Sequence, residues 1–316
     1  MLRKGDKYLI LSFDTESDIG SWTQDYTSID KALPLILDML SKHDVRATFY
    51  WEGMAAMHAP DMVRKVSEAG HECGCHTFQH ETVGKPSYFI PGDRAILPDE
   101  VHGRLVKNKL LIEQITGHPA VSFRAPRLWG DEVMIRALED LGFATDSTYQ
   151  VSSEEDDMFF YHPSENELGR HGSLNITELP VMAIYGDMTG KVSRELRDFG
   201  EETGGGGKVI GQWPVLRLYG AEKFLEFAKP YIDKQLESRG YSVVTVYQHP
   251  WEFIPMPGVL DGPEAECRLK RTLYQNTGDI ALEALDKMIS GFKKQGFRFV
   301  TASGFAAMTG PREGEQ

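Results

Sequence analysis

Apolar runs of strand length alternate with helix-like patterns along nearly the whole chain, and this alternation limits the fold more than any other feature. The run at residues 8–13 precedes a helical pattern at 29–40, and the run at 47–51 precedes another at 60–69. Near the other end, the β-branched run at 242–247 predicts a buried strand. Repeated β-α units are typical of a parallel sheet or barrel covered by helices. The sequence therefore predicts an α/β fold.

The β-α rhythm is interrupted from about residue 151 to about residue 221, where the sequence is acidic, polar and rich in glycine. This composition predicts an insertion of loops and short strands, with strand candidates at 176–184 and 215–219 and a flexible segment around 204–207. A chain of 316 residues fits one large α/β domain. We therefore expect a single domain, residues 1–316, that carries the insertion.

The charge balance limits the class of partner. Lys and Arg number 34 against 47 Asp and Glu, so the formal net charge is −13, which gives no support to nucleic acid or an anionic membrane as partner. No apolar run is long enough for a signal peptide or a membrane span. Three cysteines do not make a disulfide framework. These observations favour a cytoplasmic protein.

Four polar clusters follow predicted strands, at the ends where functional side chains collect in parallel α/β folds. They are 14–16, His76 with His80, 124–127 and 249–252. Each cluster alone has an ordinary structural interpretation, such as a turn cap, an ion pair or a strand end. Their joint occurrence at one predicted rim favours a site.

The two histidines suggest a metal. If His76 and His80 lie on one helical turn, their side chains share a face and can converge on one ion. Two surface histidines at this spacing are also common by chance. The spacing alone leaves both interpretations open.

The order of the motifs resembles the polysaccharide deacetylases of the NodB-homology group, also called carbohydrate esterase family four. The sequence from His249 to Glu252 is similar to the branch that contains peptidoglycan deacetylases and allantoinase-like proteins. The resemblance covers roughly residues 8–150 and 240–303. The motifs that carry it are residues 13–17, 76–81, 123–130, 144–149 and 248–253.

The resemblance implies a distorted (β/α)7 barrel that hydrolyses an acetamide or a related amide with a metal-activated water. Asp14, His76 and His80 supply one carboxylate and two imidazoles, a set that leaves positions open on a catalytic ion. A divalent metal is therefore the expected cofactor. Zinc is the first expectation, with cobalt or another first-row ion as the alternative.

The resemblance also implies roles around the metal. His249 falls at the position of the histidine that protonates the leaving amine, and Glu252 or Asp146 is expected to orient it. Arg124 resembles the arginine that positions the acidic base, although a structural ion pair is its alternative interpretation. Trp129 and Trp251 are expected as substrate walls, or else as rim packing.

One departure from the family pattern affects the mechanism. The related branch often has a first acid that acts as base, then one spacer and a second acid that binds metal. The preferred alignment puts Ser12 at the base position and Asp14 at the ligand position, which leaves Glu16 or the metal hydroxide to take the proton. The alternative register makes Asp14 the base and Glu16 the ligand.

These features lead to three functional hypotheses. The first is a metal-dependent amidase that removes an acetyl group from an N-acetylated carbohydrate or a small amide. The second is a metal-independent, allantoinase-like amide hydrolase in which the histidines bind substrate. The third, motivated by Ser12, is a degraded barrel that binds a carbohydrate or a protein without turnover. Association into a homo-oligomer through the insertion remains open.

Overall fold

The computed structural model describes residues 2–20, 23–83, 96–150, 158–185, 209–261 and 266–309. Its strands are β1 Lys7–Thr15, β2 Thr48–Trp51, β3 Glu72–Cys75, β4 Ser122–Phe123, β5 Thr145–Asp146, β6 Pro163–Ser164, β7 Glu167–His171, β8 Thr177–Glu178, β9 Ala183–Tyr185, β10 Val209–Gly211, β11 Ser242–Gln248, β12 Val259–Asp261, β13 Glu266–Arg268 and β14 Arg298–Phe299. Its helices are α1 Thr27–His43, α2 Gly53–His58, α3 Pro60–Glu68, α4 Val101–Thr116, α5 Glu132–Asp140, α6 Gln212–Arg239, α7 Arg271–Tyr274, α8 Asp279–Lys294 and α9 Ala302–Thr309.

Seven parallel strands of the described chain form the barrel wall, in the order β11, β1, β2, β3, β4, β5 and β8, and β14 pairs with β1 beside this path. Beyond β8, Val181 makes a parallel bridge to Thr245 of β11, and the Met182 N–H donates to the Thr245 carbonyl at 3.1 Å. The sheet thus curls back on its first strand. The predicted distorted (β/α)7 barrel is confirmed, and the distortion lies at β4, β5 and β8, which have two residues each.

The central strand β1 is buried on both of its faces, as a parallel strand covered by helices must be. Leu9, Leu11 and Phe13 belong to the main core with the helices. Tyr8 and Ile10 point the other way and pack in a second cluster with Phe305 of α9 and Val243 of β11. Because side chains alternate along a strand, the polar residues that continue this inner face extend toward the carboxyl end of the barrel.

The chain between β10 and β11 differs from the sequence prediction. Residues 215–219 were expected as a strand, but they lie in the first part of α6. A short apolar run fits a buried strand or a buried helical turn equally well, and here tertiary contacts select the helix. Gly220 interrupts α6 with φ 80° and ψ 169°, a backbone conformation that is essentially restricted to glycine.

The domain organisation stays a prediction. The described part of the predicted insertion contains an antiparallel pair of β6 with β7 and another of β9 with β10. Residues 151–157 and 186–208, which include the glycine-rich run at 204–207, lie outside the described residues.

Candidate metal centre

The carboxyl ends of neighbouring strands bring the four predicted clusters to one place. Phe13 of β1 is in register with Gln248 of β11, and Cys75 of β3 is in register with Phe123 of β4. The residues that follow these pairs are Asp14, His249, His76 and Arg124. The expectation that the motifs share one rim is therefore confirmed by the geometry.

Glu16, His76 and His80 form a buried group that can hold a metal ion. One ligand atom from each lies within 4.8 Å of the others. The Nε2 atoms of both histidines approach the same Glu16 oxygen, Oε2, at 3.2 Å from His76 and 2.6 Å from His80. One carboxylate and two imidazoles are a donor set suited to zinc and other first-row ions. The residues therefore fit a divalent cation.

The orientation of His76 is fixed from outside this group. Its Nδ1 lies 2.8 Å from the carbonyl oxygen of Arg124, so Nδ1 carries the proton and Nε2 faces Glu16. The His76 N–H donates to the Asn108 side chain at 3.1 Å. A hydrogen bond from the remote ring nitrogen to a carbonyl is the usual way in which proteins orient a metal-binding histidine.

His80 reaches the group by a different route from the one expected. The residues from His76 to His80 form an irregular loop after β3, so the helical turn proposed from their spacing is wrong. Thr77 and His80 have φ values of 57° and 54°, a region that non-glycine residues adopt at a cost of roughly 1–3 kcal/mol each. The Thr77 carbonyl accepts the Gly53 N–H at 3.0 Å, which ties the loop to the start of α2.

Asp14 is not part of the group of Glu16, His76 and His80, and its assignment as a ligand stays a prediction. Its Oδ1 accepts a hydrogen bond from the Arg124 guanidinium at 2.7 Å, and both side chains are almost fully buried. Ser12 accepts from the same Arg124 nitrogen at 2.8 Å and donates to the Val246 carbonyl. The geometry favours the alternative register, in which Glu16 occupies the ligand position and Asp14 the position of the base.

Arg124 is fully buried, and it contacts both Asp14 and His76 of the buried group. Its remaining donors reach the Ser147 carbonyl at 3.0 Å and the Ser147 hydroxyl at 2.8 Å. Its guanidinium carbon lies 4.4 Å from the ring centre of Tyr50 and 5.1 Å from that of Tyr247. The Arg124 carbonyl also accepts the hydrogen bond from His76 Nδ1. Arg124 therefore orients both His76, a candidate ligand, and Asp14, a candidate base.

The charges of the group stabilise one another. Burial opposes the ionisation of Glu16, but the charge of His80 and hydrogen bonds from both histidines outweigh it and hold the pKa of Glu16 well below its usual value. Burial likewise opposes a charged His76, and the carboxylates of Asp14 and Glu16 outweigh it and raise the pKa of His76. Such a group attracts positive charge, as protons or as a metal cation.

His249 lies beside this group and is paired with Glu252. Its Nδ1 is 3.1 Å from Glu252 Oε1, and its own N–H donates to the same oxygen at 2.9 Å. Of the two residues expected to orient His249, Glu252 therefore makes the contact, whereas Asp146 accepts hydrogen bonds from Ser147 and Thr148. Burial lowers the pKa of His249, but the hydrogen bond to Glu252 and nearby carboxylates outweigh it and raise that pKa.

The two tryptophans expected at the substrate differ in exposure. Trp251 is only 3% exposed, stacks on His249 at 5.0 Å, and donates from Nε1 to Glu16 Oε1 at 3.4 Å. These contacts fit the alternative expectation of rim packing, and a contact of Trp251 with substrate stays a prediction. Trp129 is 41% exposed, and its contact with substrate stays a prediction.

Two ionisable residues near the site, Glu52 and Arg217, were not predicted from the sequence. Glu52 follows β2 directly, and its Oε2 accepts the Ser17 N–H at 3.1 Å. Burial, reinforced by the Glu16 carboxylate, raises the pKa of Glu52 to about 8. Its position after a strand was the signal that could have found it. Arg217 donates to Glu252 at 2.9 Å, and it was missed because its segment was predicted to be a strand.

Within the described part of the chain, no helix combines the length and apolar character needed to cross a membrane.

Comparison with known proteins supports the predicted resemblance. Residues 2–145 match the family described as polysaccharide deacetylase. A peptidoglycan-N-acetylglucosamine deacetylase of Bacillus cereus is 29% identical over 93 residues, which are 29% of this chain and 30% of the relative. The peptidoglycan-N-acetylmuramic acid deacetylase PdaA of Bacillus subtilis is 27% identical over 141 residues, which are 44% of this chain and 46% of the relative.

Solved structures share the barrel. A candidate polysaccharide deacetylase from Mycobacterium smegmatis superposes with a TM-score of 0.61 at 18% identity, covering 100% of this chain and 96% of the other. This chain spans less than half of the length of the two Bacillus relatives. The Mycobacterium smegmatis structure, by contrast, is covered over almost its whole length. The resemblance inferred from the motifs is thus confirmed: residues 2–145 match the polysaccharide deacetylase family, on the fold that its solved structures share.

Proposed function

We propose that this protein is a metal-dependent hydrolase that removes an acetyl group from an N-acetylated carbohydrate or a related amide. The observation that carries the proposal is the buried group of Glu16, His76 and His80 beside the Asp14–Arg124 pair and His249. The relatives named as peptidoglycan deacetylases support the same reaction class. Zinc is the first expectation for the ion, and cytoplasmic placement stays a prediction.

The residues divide into three tasks. Glu16, His76 and His80 would hold the ion, which when bound supplies a Lewis acid for the amide carbonyl and lowers the pKa of a water. Asp14 accepts the proton of the attacking water, because Arg124 fixes its carboxylate at 2.7 Å. His249 donates a proton from Nε2 to the leaving amine, because its Nδ1 is occupied by Glu252.

The structure weakens one alternative. The hypothesis of a degraded, binding-only barrel rested on Ser12 at the position of the base. Asp14 instead makes the contact with Arg124 that a positioned base requires, and Ser12 is a second acceptor of the same guanidinium. The metal-independent, allantoinase-like hypothesis is separated from our proposal by its response to a chelator.

The test combines metal content with acetate release from a soluble oligomer of N-acetylglucosamine. We expect about one divalent ion per chain in the wild type, loss of the ion in Glu16→Gln, and retention of the ion in Asp14→Asn with turnover reduced by about 10²–10⁴-fold. Glu237→Gln, on the exposed face of α6, is the matched control and should change neither quantity. Full turnover after chelation, or an ion retained in Glu16→Gln, would contradict the proposal.

A further inference from the structure

Arg217 is a buried cation that the proposed reaction does not use directly. It lies in the first part of α6, is 2% exposed, and donates from Nε to Glu252 Oε2 at 2.9 Å. The other oxygen of the same carboxylate, Oε1, receives both the N–H and the Nδ1 of His249. His249, Glu252 and Arg217 therefore form a continuous chain of contacts that starts at the candidate acid.

The remaining donors of Arg217 are fixed as well. Its two terminal nitrogens donate to the carbonyls of Thr272 and Gln275, at the two ends of the short helix α7. The Asn276 side chain donates back to the Arg217 carbonyl at 3.1 Å. All three nitrogens of the guanidinium are thus used, in directions that only a planar fork can supply together.

Stability alone is a weak explanation for this arrangement. Glu252 is completely buried, and removing two charges from water usually costs about as much as their attraction returns. Burial lowers the pKa of Arg217, and the Glu252 carboxylate opposes that shift. What the ion pair does supply is a fixed position for Glu252, and through it a fixed ring orientation for His249.

The same part of α6 also contacts the ring of His249. Trp213 packs edge-on against His249 with ring centres 5.1 Å apart, and the Arg217 guanidinium lies 5.3 Å from the Trp213 ring. Trp251 stacks on the imidazole with a centre distance of 5.0 Å, and the Trp213 and Trp251 rings also meet edge-on, with centres 5.4 Å apart. The kink at Gly220 separates residues 212–219 from the rest of α6. The direction of this short segment is therefore not fixed by the axis of the longer part of the helix.

We infer that Arg217 is a positioning residue for the candidate acid: its three-point contact with Glu252 and the α7 carbonyls holds Glu252, which directs Nε2 of His249 toward the substrate. The inference rests on the proposed function for its kinetic consequences. Its structural part does not depend on turnover. Residues 212–219, most of which fall in the predicted insertion, would then contribute to catalysis.

The kinetic test compares Arg217→Gln and Arg217→Lys with the wild type. Arg217→Gln should lower kcat by roughly 10–100-fold, the usual effect of removing an outer partner of a catalytic group, with KM and metal content nearly unchanged. Arg217→Lys should give an intermediate kcat, because an ammonium reaches Glu252 but cannot also keep both carbonyl contacts. Arg239→Gln, an exposed arginine on the same helix, is the control and should match the wild type.

A second measurement is independent of turnover. In a chain labelled with nitrogen-15 at histidine, the Nδ1 proton of His249 is assigned by its loss in His249→Gln. Its hydrogen bond to Glu252 should give a downfield proton resonance that persists in Arg217→Lys and is lost or shifted in Arg217→Gln. A purely structural role would leave this resonance unchanged in molecules that fold.

The outcomes separate the two claims. A folded Arg217→Gln with wild-type kcat and resonance overturns the inference and leaves the proposed function intact. If the wild type releases no acetate but Arg217→Gln loses the resonance, the proposed function fails and the positioning inference holds. If Arg217→Gln does not fold, Arg217→Lys decides: a reduced kcat or a shifted resonance supports the inference, and wild-type values of both overturn it.

Discussion

Replacing Arg124 by methionine tests the ion pair with Asp14 that the proposed mechanism requires. The substitution keeps most of the apolar stem and removes the guanidinium. Arg124 is completely buried and makes hydrogen bonds to Asp14, Ser12 and Ser147. Because Asp14 is also buried, the variant leaves a carboxylate without its cation, away from water.

The expected magnitude follows from this burial. Removing one partner of a buried ion pair costs about 3–5 kcal/mol, because the other charge stays desolvated. Asp14→Asn combined with Arg124→Met removes both charges and should be less destabilised than the sum of the single variants, with a coupling of roughly 0.5–3 kcal/mol. Arg64, which pairs with Asp61 on the surface, is a matched control: its side chain is 45% exposed, and Arg64→Met should cost no more than about 1 kcal/mol.

Urea unfolding at neutral pH measures all four variants by the free energy of unfolding. The same preparations, assayed for acetate release, should show that Arg124→Met also lowers turnover, because Asp14 loses its orientation. A cost for Arg124→Met that equals the cost for Arg64→Met would refute the reasoning. Strict additivity of the Asp14 and Arg124 effects would also refute it, since the two charges would then not interact.

Two further predictions concern stability outside the centre. Burial lowers the pKa of His71 to about 4, and its Nδ1 accepts the Ala47 N–H at 3.2 Å. The unfolded chain therefore binds the proton first, so stability falls as the pH drops from about 6.5 to about 4, by roughly 3 kcal/mol in total. His71→Gln should flatten this pH dependence in urea unfolding, and equal slopes would show that His71 is not its source. A Cβ on Gly74 would lie 2.7 Å from the Ser122 carbonyl oxygen, whereas one on Gly103 in α4 meets nothing within 4 Å. Gly74→Ala should cost about 1–3 kcal/mol and Gly103→Ala should stabilise by about 0.5–1 kcal/mol, and thermal melts that rank them in the opposite order would contradict the packing argument.

The strands of the barrel could be predicted because buried strands have an apolar local composition. β1 and β11 are continuous apolar runs, since both of their faces are covered, and both were predicted within two residues of their observed ends. Residues 215–219 have a similar composition, but the run is only about one helical turn long. Such a short run does not distinguish a strand from a helix. Their helical state depends on contacts with β11 and α7 that no local pattern contains.

The candidate site was predicted in its location but not in its pairing. Ser12, Asp14 and Glu16 all lie two residues apart, so the strand period cannot tell which of them meets the histidines. The choice depends on how far β1 extends beyond β3, which is a tertiary quantity. The pairing of Arg217 with Glu252 spans 35 residues of sequence and had no local signal at all.

The closure of the barrel also affects where its wall can open locally. β11 is joined to β1 through seven registered residue pairs, but in the described chain it meets the 181–182 segment through a single bridge at Thr245. Local opening is easiest where few hydrogen bonds must break. β3 and β4 also share one registered pair, so the seam at Thr245 is one of two strand contacts in the described wall that rest on a single pair. Widening it would leave β1, β3 and β4, and with them Glu16 and His76, undisturbed. Opening at Thr245 would therefore leave the group of Glu16, His76 and His80 in place.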